Sequence, residues 1–270
     1  MPVADIGGVE LSYERSGSGP PLLVIMGMSG TFSHWGEPFL EGLRSEFEVI
    51  VYDHRGVGES GPLEEQLSIE LLARDAAGLL DALGIGETHV LGISMGGMVA
   101  QELALAHPQR VRTLTLGCTY CGGEGSSLAG PAVLQRLAEG MSSGDRALAV
   151  RTAWEVNVSP AFCSSPEGER AFEVFSEIGM RRAVPVPVIL AQMQACAAHD
   201  TSARLGELHM PTLIVHGTAD EMIPVSNAPV IHDLIAGSRL EILEGVGHLF
   251  FWEQPERAAE LVRDHAAVRA

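Results

Sequence analysis

A serine between two glycines is the first feature of this sequence that could do chemistry. Ser94 stands in "GISMGG", with Gly92 two positions before it and Gly96 two positions after it. The apolar run "THVLGI" precedes the serine, and "GGMVAQELALA", which has the periodicity of a helix, follows it. Because glycine has no Cβ, it permits the close backbone approach of a sharp strand-to-helix turn, and such a turn exposes a serine hydroxyl as a nucleophile.

A serine hydroxyl is a weak nucleophile at neutral pH, so it requires a base that is itself oriented by an acid. Asp220 follows the apolar run "PTLIVHG", and His248 follows the run "RLEILEG". The order serine, acid, histidine along the chain is the one expected for this type of turn. We therefore predict that Ser94, Asp220 and His248 are catalytic. A Gly-rich turn with an incidental serine is the alternative that the motif alone leaves open.

Both partners of Ser94 have competitors in the sequence. Glu221 neighbours Asp220, but Asp220 lies closer to the end of its strand, which favours it as the acid. His107 has the position of a helix end and His216 that of a strand end. Four further histidines are expected at the surface: His199, His209, His232 and His265.

The elements that must position these residues are short apolar runs separated by segments with helical periodicity. Continuous apolarity over five or six residues is typical of parallel strands buried on both faces. Between two of the runs, Ser68 is the predicted N-cap of a helix that stops at Gly84. The alternation predicts an α/β fold with a mostly parallel central sheet and helices on both faces. The runs are "PLLVIMG", "FEVIVYD", "THVLGIS", "VRTLTLG", "PTLIVHG" and "SRLEILEG".

One interval breaks the alternation. Residues 120–205 contain amphipathic segments punctuated by Gly, Ser and Pro, without a convincing buried strand. We interpret this interval as a helical cap inserted into the core, which then consists of residues 1–119 and 206–270. No internal repeat or low-complexity linker separates the two parts, so the cap is expected to pack against the core.

With these motifs in place, the chain resembles the α/β-hydrolase family nearly from end to end. The resemblance is carried by "GISMGG", "HGTADEMIP" and "GVGHLFFWEQPE", together with "YDHRGVGES" after the strand "FEVIVY". It implies a serine carboxylesterase or lactonase with a helical cap. In the last motif the structural reading is favoured, with Arg55 supporting a Gly-rich loop and not touching substrate.

Two backbone N–H groups are candidates for an oxyanion hole. Met95 follows the serine at a helix N-terminus, where its N–H faces a developing negative charge. The family resemblance implies a second donor at the residue after a His-Gly pair. This chain has Met26 in place of that histidine, but Gly27 is retained, so the second donor is expected to be the N–H of Met28.

The cap is expected to cover the substrate pocket and to set substrate choice. Phe32, Trp35, Trp154 and Met193 are the candidate lining residues, alongside Met28 and Met95; packing in the core is the alternative for each of them. An apolar lining without evident Arg or Lys near the motifs favours a neutral, moderately hydrophobic ester or lactone. The predicted reaction is hydrolysis through an acyl-enzyme, with no cofactor and no metal.

Other activities on the same fold stay open. Relatives with this triad include cofactor-free perhydrolases described as haloperoxidases and enzymes that hydrolyse carbon–carbon bonds. A ligand-binding receptor or a scaffold on the α/β-hydrolase fold is the alternative from a different class. A nucleotide-binding protein is disfavoured because the sequence has neither G-x-G-x-x-G nor a P-loop.

Composition limits the partners. The 270 residues are 46% hydrophobic and 19% charged, as in a folded globular protein, and the formal net charge is −18. This charge repels phosphate backbones and anionic membrane surfaces, so neither nucleic acid nor a membrane is expected as a partner. The expected partner is a small-molecule substrate. The adjacent pair Arg181 and Arg182 is interpreted as a solvated helix face. A homo-oligomer is left open.

The sequence features neither a signal peptide nor a membrane span. Acidic residues stand where a signal peptide needs basic ones, and no apolar run reaches the length of a span, so a cytoplasmic location is expected. The four cysteines are too few for a disulfide scaffold and are expected to be thiols. Cys118 and Cys121 form a C-x-x-C, but no second pair of ligands accompanies them, which disfavours a zinc or redox site.

Overall fold

The computed structural model describes residues 1–181 and 183–268, and it centres on one eight-stranded sheet. The order of the strands across the sheet is β1-β2-β4-β3-β5-β6-β7-β8. Strand β2 pairs antiparallel with β1 and β4, and every other pair is parallel. The strands are β1 Val3–Asp5, β2 Glu10–Gly17, β3 Pro21–Ile25, β4 Glu48–Tyr52, β5 Thr88–Ile93, β6 Val111–Gly117, β7 Thr212–Gly217 and β8 Arg239–Leu243.

All six apolar runs form parallel strands, which confirms the predicted fold class. The central strands are buried on both faces of the sheet, as the side chains of β3 illustrate. Leu23 and Ile25 belong to one hydrophobic cluster, whereas Leu22 and Val24 belong to a second cluster on the opposite face. Strand β2 was not predicted because "ELSYERSG" is largely polar and is only partly buried at the antiparallel side of the sheet.

Helices cover both faces of the sheet. Helices α2 and α3 pack on each other over the first cluster, while α1 and α11 pack on each other over the second. The N-cap of α2 is Ser68, as predicted, and its side chain accepts a hydrogen bond from the N–H of Leu71. The helices of the core are α1 Glu37–Arg44, α2 Ile69–Ala82, α3 Met95–Ala106, α9 Asn227–Leu234, α10 Phe250–Glu253 and α11 Pro255–Ala266.

The interval between β6 and β7 is helical. In the described residues between Gly117 and Thr212, the regular elements are helices alone. That observation agrees with the expected absence of strands from residues 120–205, while the division into cap and core stays a prediction. Arg181 ends α7 at an exposed position, paired with Glu177, and Arg182 lies outside the described residues. The helices are α4 Pro131–Ser142, α5 Arg146–Asn157, α6 Pro160–Cys163, α7 Pro166–Arg181 and α8 Val186–Ala198.

A buried ion pair braces the loop that follows β4. Both nitrogens at one side of the Arg55 guanidinium donate to the carboxylate of Asp75 on α2, at 2.7 and 2.6 Å. A third nitrogen donates to Glu65 at 2.7 Å. Arg55 thus holds its loop against α2, in agreement with the supporting role expected from the sequence. Its partners are acidic side chains of the protein itself.

In the described part of the chain, no helix is both long enough and apolar enough to cross a membrane.

Asp75→Asn is expected to destabilise the protein by about 3–5 kcal/mol, because it leaves the buried Arg55 charge facing a neutral amide. The matched control is Asp81→Asn on the same helix, which breaks an Asp–Arg pair whose carboxylate is 69% exposed, against 3% for Asp75. The control is expected to cost about 0–1 kcal/mol. Urea unfolding curves measure both, and equal losses would contradict the bracing role of Arg55.

Stability is expected to fall as the pH drops from about 6.5 to 4. Burial lowers the pKa of His199 to about 4, so the folded protein keeps this imidazole neutral while the unfolded chain, with a pKa of about 6.5, takes up a proton. The contribution of the neutral imidazole to the free energy of unfolding is complete above the pKa of the unfolded chain. It is lost as the pH falls toward the pKa in the folded protein. Burial also lowers the pKa values of His34 and His89 to about 4.

His199→Gln removes one of these titrating groups and keeps a hydrogen-bonding side chain. Between pH 7 and 4 the unfolding free energy of this variant should fall less than that of the wild type, by on the order of 2 kcal/mol. His209→Gln, at an exposed position, serves as the control and should follow the wild type. Denaturant unfolding at several pH values gives the comparison, and parallel curves for His199→Gln and wild type would refute it.

Candidate active site

Ser94 lies on a strained turn between β5 and α3. Its φ of 54° and ψ of −124° fall in a region that non-glycine residues rarely adopt. Two hydrogen bonds from the end of β6 hold the turn: the N–H of Ser94 donates to Gly117 O at 2.9 Å, and Thr119 Oγ1 donates to Ser94 O at 2.7 Å. The serine is therefore fixed at the carboxyl edge of the sheet, with its side chain partly exposed.

The two glycines beside Ser94 are required by close backbone approach. A Cβ at Gly92 would lie 2.1 Å from the carbonyl oxygen of Gly96, and a Cβ at Gly96 would lie 2.1 Å from that of Ile25. Neither distance is physically accessible to a side chain, and the opposing atoms are backbone. The glycine spacing in the sequence thus reflects helix α3 meeting strands β5 and β3 at van der Waals distance.

Asp220 and His248 are brought together by the ends of β7 and β8. The Nδ1–H of His248 donates to Asp220 Oδ2 at 2.7 Å, and both side chains are buried. The other carboxylate oxygen, Oδ1, accepts from the N–H groups of Met222 and Ile223, each at 2.8 Å. His216 Nε2 lies 3.3 Å from Oδ2. Each oxygen of the buried carboxylate therefore has at least one donor.

The surroundings of Asp220 keep it ionised. Burial opposes its ionisation, but the charges and hydrogen bonds of His248 and His216 outweigh burial and hold its pKa well below the usual range. Its neighbour Glu221 points elsewhere and forms an exposed ion pair with Arg136 at 3.2 Å. The contacts of the two carboxylates thus support Asp220, not Glu221, as the partner of His248.

Two histidines that were expected at the surface are buried, so that expectation was wrong for them. His199 Nε2 lies 3.4 Å from Gln101 Oε1. His265 Nε2 lies 3.2 Å from the carbonyl oxygens of Leu114 and Pro211. Both imidazoles have protein partners far away in the sequence, which gives them a structural role. His107 caps the end of α3 and His216 lies in β7, as predicted.

Cys118 is a neighbour of the acid and the histidine that sequence reasoning did not connect with them. Its sulfur and one ligand atom each of Asp220 and His248 all lie within 4.8 Å of one another. Burial, followed by the charge of Asp220, raises the pKa of the Cys118 thiol well above its ordinary value. All four cysteines are free.

The loop after β3 lies directly against Ser94. A Cβ at Gly27 would be 3.1 Å from Ser94 Cβ, which places the next residue, Met28, beside the serine. His54 Nε2–H donates to the carbonyl oxygen of Met26 at 2.9 Å and holds the start of the loop. In the described residues, the N–H groups of Met28 and Met95 make no hydrogen bond. Their role in an oxyanion hole stays a prediction.

Ser94 follows β5 and His248 follows β8, so both lie at the carboxyl edge of the same sheet. Among the interactions of residues 1–181 and 183–268, none joins Ser94 Oγ to the His248 ring. Contacts of this kind are often long in a free enzyme and shorten when substrate binds. The structure therefore places the three predicted residues at one edge of the sheet, with the acid–histidine contact formed.

Comparison with known proteins identifies the family. A sequence model of the alpha/beta hydrolase fold matches residues 20–153 and 161–255, which is most of the chain. The chain belongs to the α/β-hydrolase family. The fold expected from the resemblance in the sequence is thereby confirmed.

Relatives of this α/β-hydrolase are named for different substrates. RutD of Azorhizobium caulinodans, assigned as a carbamate hydrolase, is 31% identical over 97% of both chains. Pimeloyl-[acyl-carrier protein] methyl ester esterase of Aeromonas hydrophila is 29% identical over 94% of this chain and 98% of its own. The structure of the enol-lactonase from Burkholderia xenovorans superposes with a TM-score of 0.84 and 25% identity, over 99% of this chain and all of the other.

Of the residues predicted to line the pocket of this α/β-hydrolase, Phe32, Trp35 and Trp154 belong to one buried hydrophobic cluster, and Met193 lies outside it. Trp35 is fully buried against Phe39 and Phe251, and Trp154 is fully buried in a second aromatic cluster. Phe32 is also buried, whereas Met193 is 37% exposed on α8. The burial of both tryptophans agrees with the core-packing alternative, and their contact with substrate stays a prediction.

Two cavities of the described structure lie away from Ser94. One, of about 380 Å³, is bordered by residues of β1, β2 and the 61–64 segment, and another, of about 280 Å³, lies between the start of α2 and α8. Neither is lined by Ser94, Asp220 or His248.

Glu253 is a further residue near the site that sequence reasoning missed. Its Oε1 accepts from Gly247 N at 2.8 Å and from Ser159 N at 2.7 Å, and its Oε2 accepts from Ser159 Oγ at 2.6 Å. Burial raises its pKa. Because Gly247 precedes His248 and Ser159 precedes α6, this carboxylate ties the histidine loop to the inserted helices. No sequence signal links residues that are 94 positions apart.

Gly96→Ala is expected to destabilise the α/β-hydrolase strongly, since the new methyl group would meet the carbonyl oxygens of Ile25 and Met26 at 2.1 and 2.6 Å. A loss of about 3 kcal/mol corresponds to a Tm lower by about 6–12 °C. Gly86→Ala is the control, because nothing lies within 4 Å of its added Cβ. Calorimetric Tm values within about 2 °C of each other for the two variants would contradict the packing described for the turn.

Proposed function

We propose that this α/β-hydrolase is a serine hydrolase that cleaves an ester or lactone through an acyl-enzyme. The observation that carries the proposal is the buried Asp220–His248 pair at 2.7 Å, at the same sheet edge as a half-buried serine held on a strained turn. A nucleophile, a histidine and an orienting carboxylate at one sheet edge are the parts that acyl transfer requires. The three relatives are named as a carbamate hydrolase, a methyl ester esterase and an enol-lactonase.

In the first half-reaction, Ser94 Oγ attacks the substrate carbonyl carbon while His248 Nε2 takes its proton. Asp220 accepts the hydrogen bond from Nδ1–H, so it selects the tautomer whose Nε2 is free to act as a base. The low pKa of Asp220 keeps the carboxylate charged, and that charge stabilises the imidazolium that forms. His248 then protonates the leaving alcohol, which departs.

In the second half-reaction, water repeats the same steps on the acyl-enzyme and releases the carboxylic acid. The N–H groups of Met28 and Met95 stabilise the negative oxygen in both halves. Their position beside Ser94 and their lack of a described acceptor support this role. Backbone donors are insensitive to side-chain identity, so Met26 in the place of the family's histidine leaves the chemistry intact.

The proposed substrate is neutral and moderately hydrophobic. Arg55, a basic residue in the loop next to the site, is already engaged with Asp75 and Glu65 and is unavailable to a carboxylate. The inserted segment, residues 120–205, is proposed to cover the site as a cap. Trp154, Phe32 and Met193 are the candidate side chains in contact with the substrate. A small molecule held under such a cap is the proposed partner, and the cytoplasm the proposed location.

A carbamate is the second candidate substrate. It is favoured by the 31% identity to RutD over nearly the whole of both chains. Hydrolysis of a carbamate uses the same nucleophile, base and oxyanion donors, with an amine or alcohol as the leaving group. The two candidates therefore differ in the pocket, not in the catalytic residues.

Ser94→Ala is expected to lower hydrolysis of p-nitrophenyl esters by at least about 10⁴-fold, because the covalent step is lost. A series from acetate to decanoate, one γ-lactone and one p-nitrophenyl carbamate should be assayed with wild type, Ser94→Ala and the control Ser33→Ala. Ser33 is an exposed serine in the short 3-10 helix Phe32–Trp35. The control should retain wild-type rates. The preferred acyl chain length will indicate the size of the pocket.

A second readout tests the nucleophile without a choice of substrate. A fluorophosphonate should add its phosphonyl group to Ser94, detected as the mass increase of the peptide that contains it. Equal hydrolysis by wild type and Ser94→Ala, together with labelling elsewhere, would reject the proposal. Absence of turnover together with strong stabilisation by ligands would favour a receptor on the same fold.

A further inference from the structure

Gln192 is a fully buried polar side chain on an otherwise apolar helix face. The buried residues of α8 are Val188, Gln192, Ala195 and Cys196, which recur at helical spacing on one side. The Gln192 side chain is 0% exposed. A buried primary amide carries two N–H groups and an acceptor oxygen, and such groups are costly unless each finds a partner.

One half of this amide has a partner. The N–H of Ser29 donates to Gln192 Oε1 at 2.9 Å. This bond fixes the orientation of the amide, because only its oxygen can accept from an N–H group. Nε2 must therefore face the other way, and among the described residues it has no hydrogen-bond partner.

The unpartnered amide lies beside the predicted oxyanion loop. Ser29 follows Met28, and Gly27 of the same loop contacts Ser94. One turn earlier on α8, Val188 covers the loop after β4, with its Cγ2 3.0 Å from the position of a Cβ at Gly56. Helix α8 thus crosses the edge of the sheet on the side of Met28, and Gln192 is the polar group that it presents there.

We propose that Gln192 is a specificity residue whose Nε2–H donates a hydrogen bond to a second carbonyl oxygen of the substrate. The proposal rests on the serine hydrolase function proposed above and narrows its substrate class to esters or lactones that carry an additional oxo or amide oxygen. The scissile carbonyl oxygen binds Met28 and Met95 N–H, and the second oxygen binds Gln192. Bound substrate thereby completes the hydrogen bonding of a side chain that the protein alone leaves incomplete.

The charges around α8 favour a neutral oxygen over a carboxylate. Glu65 and Glu70 lie across the 280 Å³ cavity from Ala191 and Ala195 of the same helix. His199, at the end of α8, is neutral at pH 7, since burial lowers its pKa to about 4. The nearby cations are already paired with carboxylates, Arg55 with Glu65 and Arg204 with Glu102, and so leave a bound carboxylate without a free partner. A ketone or amide oxygen needs only the N–H donor of Gln192.

The test is a comparison of matched substrates. On the acyl side, p-nitrophenyl 4-oxopentanoate is paired with p-nitrophenyl pentanoate; on the alcohol side, 2-oxobutyl butanoate is paired with butyl butanoate. In one of the two pairs the wild type should prefer the oxo compound by about 5- to 10-fold in kcat/KM, mainly through KM, the size expected for one neutral hydrogen bond. The pair that responds identifies the side of the substrate that lies against α8.

Gln192→Met should abolish this preference, with the ratio of the two kcat/KM values falling to about 1. Loss of the Ser29 contact would disturb the loop and slow both substrates of a pair equally. A change in the ratio of their kcat/KM values therefore indicates that Gln192 binds substrate, and an unchanged ratio indicates a structural role. Gln192→Glu, assayed at alkaline pH with its carboxyl ionised, keeps an oxygen for Ser29 N–H and removes the donor. This variant should also lose the preference while it hydrolyses the plain ester faster than Gln192→Met does. Gln194→Met, an exposed substitution on the same helix, should retain the wild-type ratio.

Binding of the same pairs to Ser94→Ala, measured by calorimetry, gives a readout that does not depend on turnover. Tighter binding of an oxo compound to Ser94→Ala, lost in the Ser94→Ala, Gln192→Met double variant, supports the inference even where hydrolysis is not detected. Equal rates and equal affinities within both pairs, or a preference that persists in Gln192→Met, would overturn it. Ser94-dependent hydrolysis without any oxo preference would reject the role of Gln192 and leave the proposed hydrolase function standing.

Discussion

The compressed turn at Ser94 sets the position of everything else at this edge of the sheet. Helix α3 starts so close to β3 and β5 that Gly92 and Gly96 have no room for a Cβ, and the serine between them adopts a positive φ. The same compression brings Gly27 against the serine. Ser94 and the loop after β3 are therefore held close together by backbone packing, to which the side chains of Thr119 and His54 add hydrogen bonds.

The sheet brings the remaining groups to the serine because parallel strands end at a common edge. Strands β5, β6, β7 and β8 are neighbours, so Ser94, Cys118, Asp220 and His248 follow four successive strand ends. The charge distribution there is asymmetric. Asp220 has donors for both oxygens and is held ionised, whereas burial raises the pKa values of Cys118 and Glu253. One fixed negative charge next to His248 is the arrangement in which a histidine base is oriented and its protonated form stabilised.

Local patterns in the sequence were enough to predict the sheet and the acid–histidine pair, because buried strands are apolar throughout and the functional residues follow their ends. Strand β2 was not predicted because it is polar and only partly buried. His199 and His265 were misplaced because their partners, Gln101 and Leu114, are 98 and 151 positions away in the chain. Gln192 and Glu253 were missed for the same reason: the Ser29 contact spans 163 positions, and no periodicity encodes it.

The inserted helices are tied to the core at two separate points of the site. Gln192 of α8 accepts a hydrogen bond from the N–H of Ser29 in the loop after β3. Glu253 accepts from Ser159 before α6 and from Gly247 beside His248. Displacement of these helices therefore disturbs the loop next to Ser94 or the loop that carries His248. Substrate selection by these helices, as proposed, is thus coupled to the positions of Ser94 and His248.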